Sequence, residues 1–74
     1  MKRILITGAC GSIGSALVAK LLRESNIVCA FDNNEDKLFH LNKLFNNDKN
    51  LKIFFGDIKD KERLYQALNG IDEV

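Results

Sequence analysis

An α/β fold built on a parallel sheet is predicted by two features of this sequence. Short apolar runs alternate with longer stretches in which apolar residues recur every three or four positions, the pattern of buried strands alternating with amphipathic helices. The first apolar run passes into a loop with glycines at positions 8, 11 and 14, and a helical pattern begins inside that loop. Because strands joined by helices lie parallel with right-handed crossovers, the alternation predicts a parallel sheet.

The first strand and its loop carry the clearest signal. Residues 4–6 are all apolar and predict a strand buried on both faces, after which Thr7 leads into the glycines. This spacing suits the pyrophosphate of a dinucleotide: Gly8 makes the tight turn, Gly11 lets the backbone approach the phosphates, and Gly14 lets the helix pack close to the strand. Ser12 and Ile13 supply amides in the first helical turn, assisted by the helix dipole. A plain N-cap role for Ser12 stays open beside this one.

The remaining elements follow the same alternation. A helix is predicted over about residues 12–24, a second strand over residues 27–31 ending at Asp32, and a second helix that Asn33 or Asn34 caps. The inward stripes of these two helices are predicted to be Ile13, Leu17, Val18, Leu21 and Leu22 in the first, and Leu38, Leu41, Leu44 and Phe45 in the second.

A third strand is predicted over residues 51–55, with Gly56 and Asp57 at its carboxyl end. Asp60 caps a third helix that ends at Gly70, and residues 71–74 predict the start of a fourth strand. Together these elements predict the first half of a Rossmann fold, a three-stranded parallel sheet with a truncated fourth strand and three helices. The expected unit is a single partial dinucleotide-binding domain over residues 1–74.

Composition narrows the class of protein. Hydrophobic residues make up 46% and charged residues 28% of the chain, which is typical of a soluble globular protein and not of a disordered one. Eleven Lys and Arg against ten Asp and Glu leave a net charge of +1. The chain therefore lacks the strong positive charge that is typical of nucleic-acid-binding proteins. The apolar run at residues 4–6 is too short for a signal peptide or a membrane span. Cys10 and Cys29 lack the spacing of a redox or zinc pair, so reduced thiols and a cytoplasmic location are expected, with no metal site.

Two segments resemble a known superfamily. Residues 7–14, T-G-A-C-G-S-I-G, resemble the T-G-x-x-G-x-x-G fingerprint of the short-chain dehydrogenase/reductase superfamily, in its extended branch that acts on nucleotide sugars. Residues 56–60, G-D-I-K-D, look like the G-D-[IV]-R-D segment that follows the third strand in that branch, with Lys59 where Arg is common. Within the branch, G-S-I-G-S-A-L-V, F-D-N-N-E and G-D-I-K-D-K-E-R-L are similar to the polysaccharide-biosynthesis dehydratases, which act on UDP-linked N-acetylhexosamines.

The cofactor-binding residues follow from position and from this resemblance. Asp32 ends the second strand, where a carboxylate accepts both hydroxyls of the adenosine ribose and repels the extra phosphate of NADP, so NAD is favoured. Asn33 and Asn34 add no negative charge, so binding of NADP stays open as an alternative. The resemblance implies that Asp57 accepts from the exocyclic amine of adenine and that the Ile58 amide bonds the ring. A purely structural role stays open for both aspartates. Asp32 could end the strand or cap the helix, and Asp57 could be a loop residue that ends a strand.

No residue of this sequence is predicted to be catalytic. The family uses a Tyr-x-x-x-Lys pair, whereas Tyr65 is followed four residues later by Asn69. His40 is interpreted as a helical His, and Cys10 occupies a variable position of the fingerprint. The resemblance therefore implies the NAD(P)-binding amino-terminal portion of a nucleotide-sugar 4,6-dehydratase or epimerase of polysaccharide biosynthesis, inactive alone and partnered by cofactor and nucleotide sugar. Two alternatives are a non-enzymatic dinucleotide-binding module and a fragment that assembles with a partner, or with itself, through the exposed edge of the first strand.

Overall fold

The computed structural model describes residues 2–74, and these contain three parallel strands alternating with three helices. In chain order the elements are β1 (Arg3–Thr7), α1 (Ser12–Arg23), β2 (Ile27–Asp32), α2 (Glu35–Leu44), β3 (Leu51–Phe55) and α3 (Lys61–Leu68). The strand order is β1-β2-β3, and both pairs are parallel. The predicted fold class is therefore confirmed, and so is the alternation from which it was inferred.

The segment after α3 returns to the open edge of β1. Glu73 forms a parallel bridge with Ile4, and the Leu5 amide donates to the Glu73 carbonyl at 2.8 Å. The Asp72 amide donates to the Arg3 carbonyl at 2.7 Å. The start of the predicted fourth strand thus lies beside β1, although its contact is an isolated bridge and not a full ladder.

The core forms two layers, one on each face of the sheet. On one face, the even-numbered positions of β1 and β2 pack with α1 and α2 around Val18, Leu38 and Leu41. On the other face, Leu5, Cys29 and Phe31 pack against Ala67 of α3. Because side chains alternate between the faces of a strand, covering both faces explains why β1 and β2 are apolar at successive positions. The carboxyl ends of the strands, and the loops that follow them, lie at one edge of this sandwich.

The predicted helix stripes were partly wrong. Ile13 is 84% exposed and Leu44 is 68% exposed, and Leu17 is exposed as well. Ile13 lies in the first turn of α1, next to the glycine loop, and Leu17 lies along the open edge of β1. Leu44 ends α2, and the following Phe45 packs against the core instead. Helical periodicity identifies the side that faces the sheet, but it does not tell how far the sheet extends beneath the helix.

Candidate functional site

The glycine loop begins with a left-handed turn. Gly8 has φ +63°, a conformation that strains any residue with a side chain, and it directs the chain sharply out of β1. The Gly11 amide closes the turn by donating to the Gly8 carbonyl at 3.1 Å. Ala9 is fully buried, and its amide donates to the Phe31 carbonyl of β2 at 3.3 Å. The loop is therefore anchored to the sheet and has a defined shape.

Gly14 allows α1 to lie directly on this loop. A Cβ at position 14 would clash with the Gly8 carbonyl oxygen and lie 2.9 Å from the Ala9 Cα. Both obstructing groups are backbone, so no side-chain movement relieves the overlap. The third glycine thus has the close-packing geometry that the sequence predicts for it.

Gly11 is different, because the fold leaves room for a side chain there. It is the N-cap of α1 with extended backbone angles (φ −70°, ψ 168°), and a Cβ would lie no closer than 3.4 Å from the Gly8 carbonyl oxygen. No side chain caps the helix. Ser12 is the first helical residue, so the N-cap alternative considered for it is wrong. Gly11 instead holds the position in which Ser, Asp or Asn are preferred.

The first turn of α1 presents amides on an exposed surface. The Ser15 amide donates to the Gly11 carbonyl at 2.8 Å and begins the helical ladder. The amides of Ser12, Ile13 and Gly14 precede that bond, and amides in this position have no partner within a helix. Gly11, Ser12 and Ile13 are all exposed. The N-terminus of α1 therefore presents unbonded amides together with the positive end of the helix dipole, an arrangement that attracts anions.

Asp32 connects the loop to the start of α2. Its Oδ2 accepts from the Cys10 amide at 3.0 Å, and its Oδ1 accepts from the Asn34 amide at 3.0 Å. The strand-end role that stayed open for Asp32 is therefore present in the structure. A carboxylate has about four acceptor sites, so the ribose role is compatible with these two bonds. Asn34, and not Asn33, is the N-cap of α2, and its side chain accepts from the Lys37 amide at 3.0 Å.

A cavity of about 150 Å³ lies between the glycine loop and the ends of β2 and β3. It is smaller than the about 300 Å³ at which pockets begin to hold a whole drug-sized ligand, so it has room for only part of such a molecule. The structure brings together here five of the predicted site residues, and the other four lie along the tip of α1. The cavity is lined by Gly8, Phe31, Asp32, Asn33, Gly56, Asp57 and Ile58.

The turn that follows β3 forms one wall of this cavity. The Asp57 Oδ1 accepts from the Lys59 amide at 2.9 Å, and the Asp57 carbonyl accepts from the Asp60 amide at 2.9 Å. Asp60 caps α3, as predicted, by accepting from the Arg63 amide at 3.2 Å. Ile58 is exposed at the apex of the turn. The turn is thus held by short-range bonds that leave the second carboxylate oxygen of Asp57 free to accept from a ligand.

Sequence reasoning missed Arg63, which packs against this turn. Its Nε donates to the Phe55 carbonyl at 2.6 Å, and its guanidinium carbon lies 4.0 Å from the centroid of the Phe54 ring. Arg63 lies in the first turn of α3, where the helix dipole disfavours a positive charge. Lys61 carries the same charge in the same turn without such contacts to residues 2–74, so the charge pattern alone does not single out Arg63.

The surroundings of both thiols disfavour the thiolate form. Burial, followed by the nearby Asp32 carboxylate, raises the pKa of Cys10 to about 11. Burial also raises the pKa of Cys29. Because the thiolate is the reactive form, neither residue suits covalent catalysis.

A larger groove of about 470 Å³ lies between α1 and α2, and its lining includes Cys10, Lys37 and the exposed His40. It is open and mostly apolar. The smaller cavity is the more polar of the two, since it contains two carboxylates and the backbone groups of two loops. Across residues 2–74, no three His, Cys, Asp or Glu side chains converge on a possible metal position. No helix in that part of the chain has the length and apolarity needed to cross a membrane.

The sequence of this chain is similar to those of several known proteins. A family model described as polysaccharide biosynthesis protein matches residues 4–74. A UDP-N-acetylglucosamine 4,6-dehydratase (inverting) of Campylobacter jejuni is 37% identical over 75 residues, which cover 99% of this chain and 22% of that enzyme. A UDP-glucose 4-epimerase of Rickettsia massiliae is 32% identical over 78 residues, which cover 99% of this chain and 23% of that enzyme.

Two further similarities extend the range of relatives. An uncharacterized membrane protein of Methanocaldococcus jannaschii is 40% identical over 74 residues, which cover 99% of this chain and 22% of that protein. The solved structure of Pen from Bacillus thuringiensis superposes with a TM-score of 0.88 at 35% identity, covering 96% of this chain and 22% of that one. The chain thus spans less than a quarter of the length of each of these relatives.

Proposed function

Because the chain belongs to the polysaccharide biosynthesis protein family, we propose that it binds NAD(P) as the amino-terminal portion of a nucleotide-sugar 4,6-dehydratase or epimerase. The glycine loop at residues 8–14 binds the pyrophosphate. The related C. jejuni and R. massiliae enzymes, named for UDP-N-acetylglucosamine and for UDP-glucose, support a UDP-sugar as the substrate class.

The observation that carries this proposal is the glycine at position 11. The fold itself accepts a Cβ there, and a Ser or Asp would stabilise α1 as an N-cap. Neither the packing of the chain nor the cap of α1 therefore requires a glycine at this position. It is explained if a ligand must approach the backbone of the loop, since any side chain would project into the space between the ligand and the helix amides.

Each part of the cofactor has a matching set of groups. The pyrophosphate lies at the first-turn amides of Ser12, Ile13 and Gly14. The adenosine ribose binds the Asp32 carboxylate through its hydroxyls, and adenine enters the cavity toward Asp57 and the Ile58 amide. The Asp32 carboxylate favours NAD over NADP, because a 2′-phosphate beside it is repelled and neither following Asn offers a compensating cation.

The chemistry of the whole enzyme needs groups that these 74 residues do not provide. A bound nicotinamide supplies hydride transfer to and from the fourth carbon of the sugar. The family's Tyr-x-x-x-Lys pair has no counterpart here, since Asn69 follows Tyr65 at that spacing. The chain by itself therefore binds the cofactor without turnover. Its two free thiols suit the reducing cytoplasm, which is where we expect it to act.

A second candidate role is association through the edge of β1. A groove of about 380 Å³ runs along this edge between Leu17, Leu21 and the terminal Glu73 and Val74. The Leu5 carbonyl and the Thr7 backbone lie beyond the single bridge at Ile4, and unpaired strand edges attract further strands. Sedimentation equilibrium tests this role: a mass that rises with concentration supports association of the chain with itself, and a monomer at every concentration contradicts it.

Calorimetric titration tests the proposed binding. The unaltered chain is expected to bind NAD more tightly than NADP, and both weakly, because the nicotinamide half of the pocket lies outside this chain. Gly11→Val is expected to abolish binding of both cofactors while retaining the fold, which circular dichroism checks. Asn69→Val, at an exposed position after α3, is the control for adding an apolar side chain. Failure of the unaltered chain to bind either cofactor contradicts the proposal, as does undiminished binding by Gly11→Val.

A further inference from the structure

We propose that Arg63 is a positioning residue for the adenine corner, by which we mean the turn at residues 56–58 between β3 and α3. This inference rests on the proposed function, since it concerns how the chain recognises the base. Arg63 does not line the 150 Å³ cavity. It acts on the cavity through the backbone and through two aromatic rings.

A direct hydrogen bond joins Arg63 to the strand that carries the adenine corner. Its Nε donates to the Phe55 carbonyl at 2.6 Å, across the turn from α3 back to β3. Phe55 ends β3, and Gly56 and Asp57 follow it immediately. This charge-assisted bond therefore fixes the peptide from which the turn departs, and with it the direction in which Asp57 leaves the sheet.

Stacking extends the same restraint to the cavity wall. The guanidinium lies over the face of Phe54, 4.0 Å from the ring centroid, a favourable cation–π position. The Phe54 ring in turn stacks on Phe31, with 5.7 Å between centroids and 18° between planes. Phe31 is fully buried and lines the cavity. Arg63, Phe54 and Phe31 thus form a continuous stack that ends at the proposed base-binding surface.

The side-chain stem of Arg63 also occupies the space beside Gly56. A Cβ at position 56 would lie 2.6 Å from the Arg63 Cγ and 3.0 Å from the Phe31 Cζ. The backbone of the adenine corner therefore runs between these two side chains without room for a third. The restraint acts at the residue immediately before Asp57, the group proposed to recognise the base.

The location of Arg63 on α3 supports a positioning role. It lies three residues after the N-cap Asp60, where the helix dipole favours an acidic residue. Its Nη1 donates to Gln66 Oε1 at 3.3 Å, which orients the guanidinium along the helix. A cation in this position opposes the local preference of the helix, whereas it satisfies the Phe55 carbonyl and the Phe54 ring.

The test compares ADP with inosine diphosphate, in which a carbonyl replaces the exocyclic amine of adenine. If Asp57 accepts from that amine, the unaltered chain prefers ADP, because the inosine carbonyl meets the carboxylate acceptor to acceptor. Arg63→Lys keeps the charge but loses the planar stack and the Nε bond. We expect ADP affinity to fall about tenfold, the size associated with one charge-assisted hydrogen bond, with inosine diphosphate affinity nearly unchanged.

The ratio of the two affinities separates positioning from general destabilisation. A merely structural role would weaken both nucleotides equally and leave their ratio intact, and that result would overturn the proposal. Arg23→Lys, the same exchange in the last turn of α1, is the control and should leave both affinities unchanged. If the unaltered chain binds neither nucleotide, the proposed function fails and the role of Arg63 with it. A preserved ratio in Arg63→Lys refutes only the role of Arg63.

A second measurement keeps the test valid if Arg63→Lys does not fold. In the unaltered chain, the Nε proton of Arg63 should exchange slowly with water because it is bonded to the Phe55 carbonyl, and nuclear magnetic resonance detects it directly. Its resonance should shift when ADP is added and should shift less with inosine diphosphate. A rapidly exchanging proton, or one that responds equally to both nucleotides, contradicts the proposal.

Discussion

Replacing Gly14 by Ala tests how closely α1 packs on the glycine loop. The new Cβ overlaps the Gly8 carbonyl oxygen and lies 2.9 Å from the Ala9 Cα and 3.1 Å from the Ala9 carbonyl carbon. Carbon atoms in favourable contact are about 3.5–4.0 Å apart, so the helix must move away from the loop. Because every obstructing atom belongs to the backbone, the whole first turn of α1 has to shift.

The expected cost follows from two opposing contributions. Overpacking costs about 1–3 kcal/mol, and we expect the upper end because no side chain can yield. Ala exceeds Gly in helix propensity by up to about 1 kcal/mol, which offsets part of that cost. The net loss is about 2 kcal/mol. For a domain of this size it lowers the melting temperature by about 8–16 °C.

Thermal unfolding followed by circular dichroism measures this loss. The matched control is Gly11→Ala, the same exchange three residues earlier, where the Cβ lies at an ordinary 3.4 Å from its nearest neighbour. We expect the control to lose at most about 1 kcal/mol, because Ala is a poorer N-cap than Gly but meets no backbone clash here. If Gly14→Ala proves as stable as the control, the close approach of helix and loop is wrong, and so is the explanation for the third glycine.

Three further predictions concern Asp32, Cys10 and Asp60. Asp32→Asn should weaken NAD binding about tenfold or more and NADP binding less, because it removes the charge that receives the ribose hydroxyls and repels the 2′-phosphate. Titration with both cofactors measures the two losses. An equal loss for both would refute the ribose assignment. With a pKa of about 11, Cys10 should react slowly with iodoacetamide at pH 7 and faster as the pH rises toward that value, because the thiolate fraction grows. Mass spectrometry of the labelled chain measures the rate. Labelling at pH 7 as fast as that of an unperturbed thiol would contradict the raised pKa. Asp60→Ala should cost about 1 kcal/mol in urea unfolding by removing the cap on the Arg63 amide, with Glu62→Ala as the control in the same turn; no difference between the two variants would contradict the capping role.

The sequence predicts the strands well because each is largely apolar and bounded by polar residues or glycine. β1 and β2 are buried at successive positions, so their period is unambiguous, whereas β3 includes the exposed Lys52. The helices are predicted less well in their exposed residues. Ile13 and Leu44 fit the period of a buried stripe, yet they lie at helix ends where the sheet no longer covers them.

The site was predictable where one segment determines its own geometry and not where two segments meet. Gly8, Gly11 and Gly14 follow from local spacing, although Gly11 and not Ser12 proves to be the N-cap. The bond from the Cys10 amide to Asp32 joins residues 22 positions apart, and the contact of Arg63 with the Phe55 carbonyl joins two different elements. Contacts of this kind depend on how the helices pack on the sheet, which the residue pattern does not specify.

In the proposed function, ligand binding, and not the packing of the fold, requires a glycine at position 11. Gly11→Ser tests this requirement most directly, with the free energy of unfolding and the NAD affinity measured on the same preparation. Serine is a preferred N-cap, so stability should be unchanged or higher by a few tenths of a kcal/mol, about the Gly-to-Ser difference at this position. NAD affinity should fall at least about tenfold, because the hydroxyl takes a first-turn amide and covers the bare backbone. A variant that is as stable as the unaltered chain and binds NAD as tightly would contradict the account.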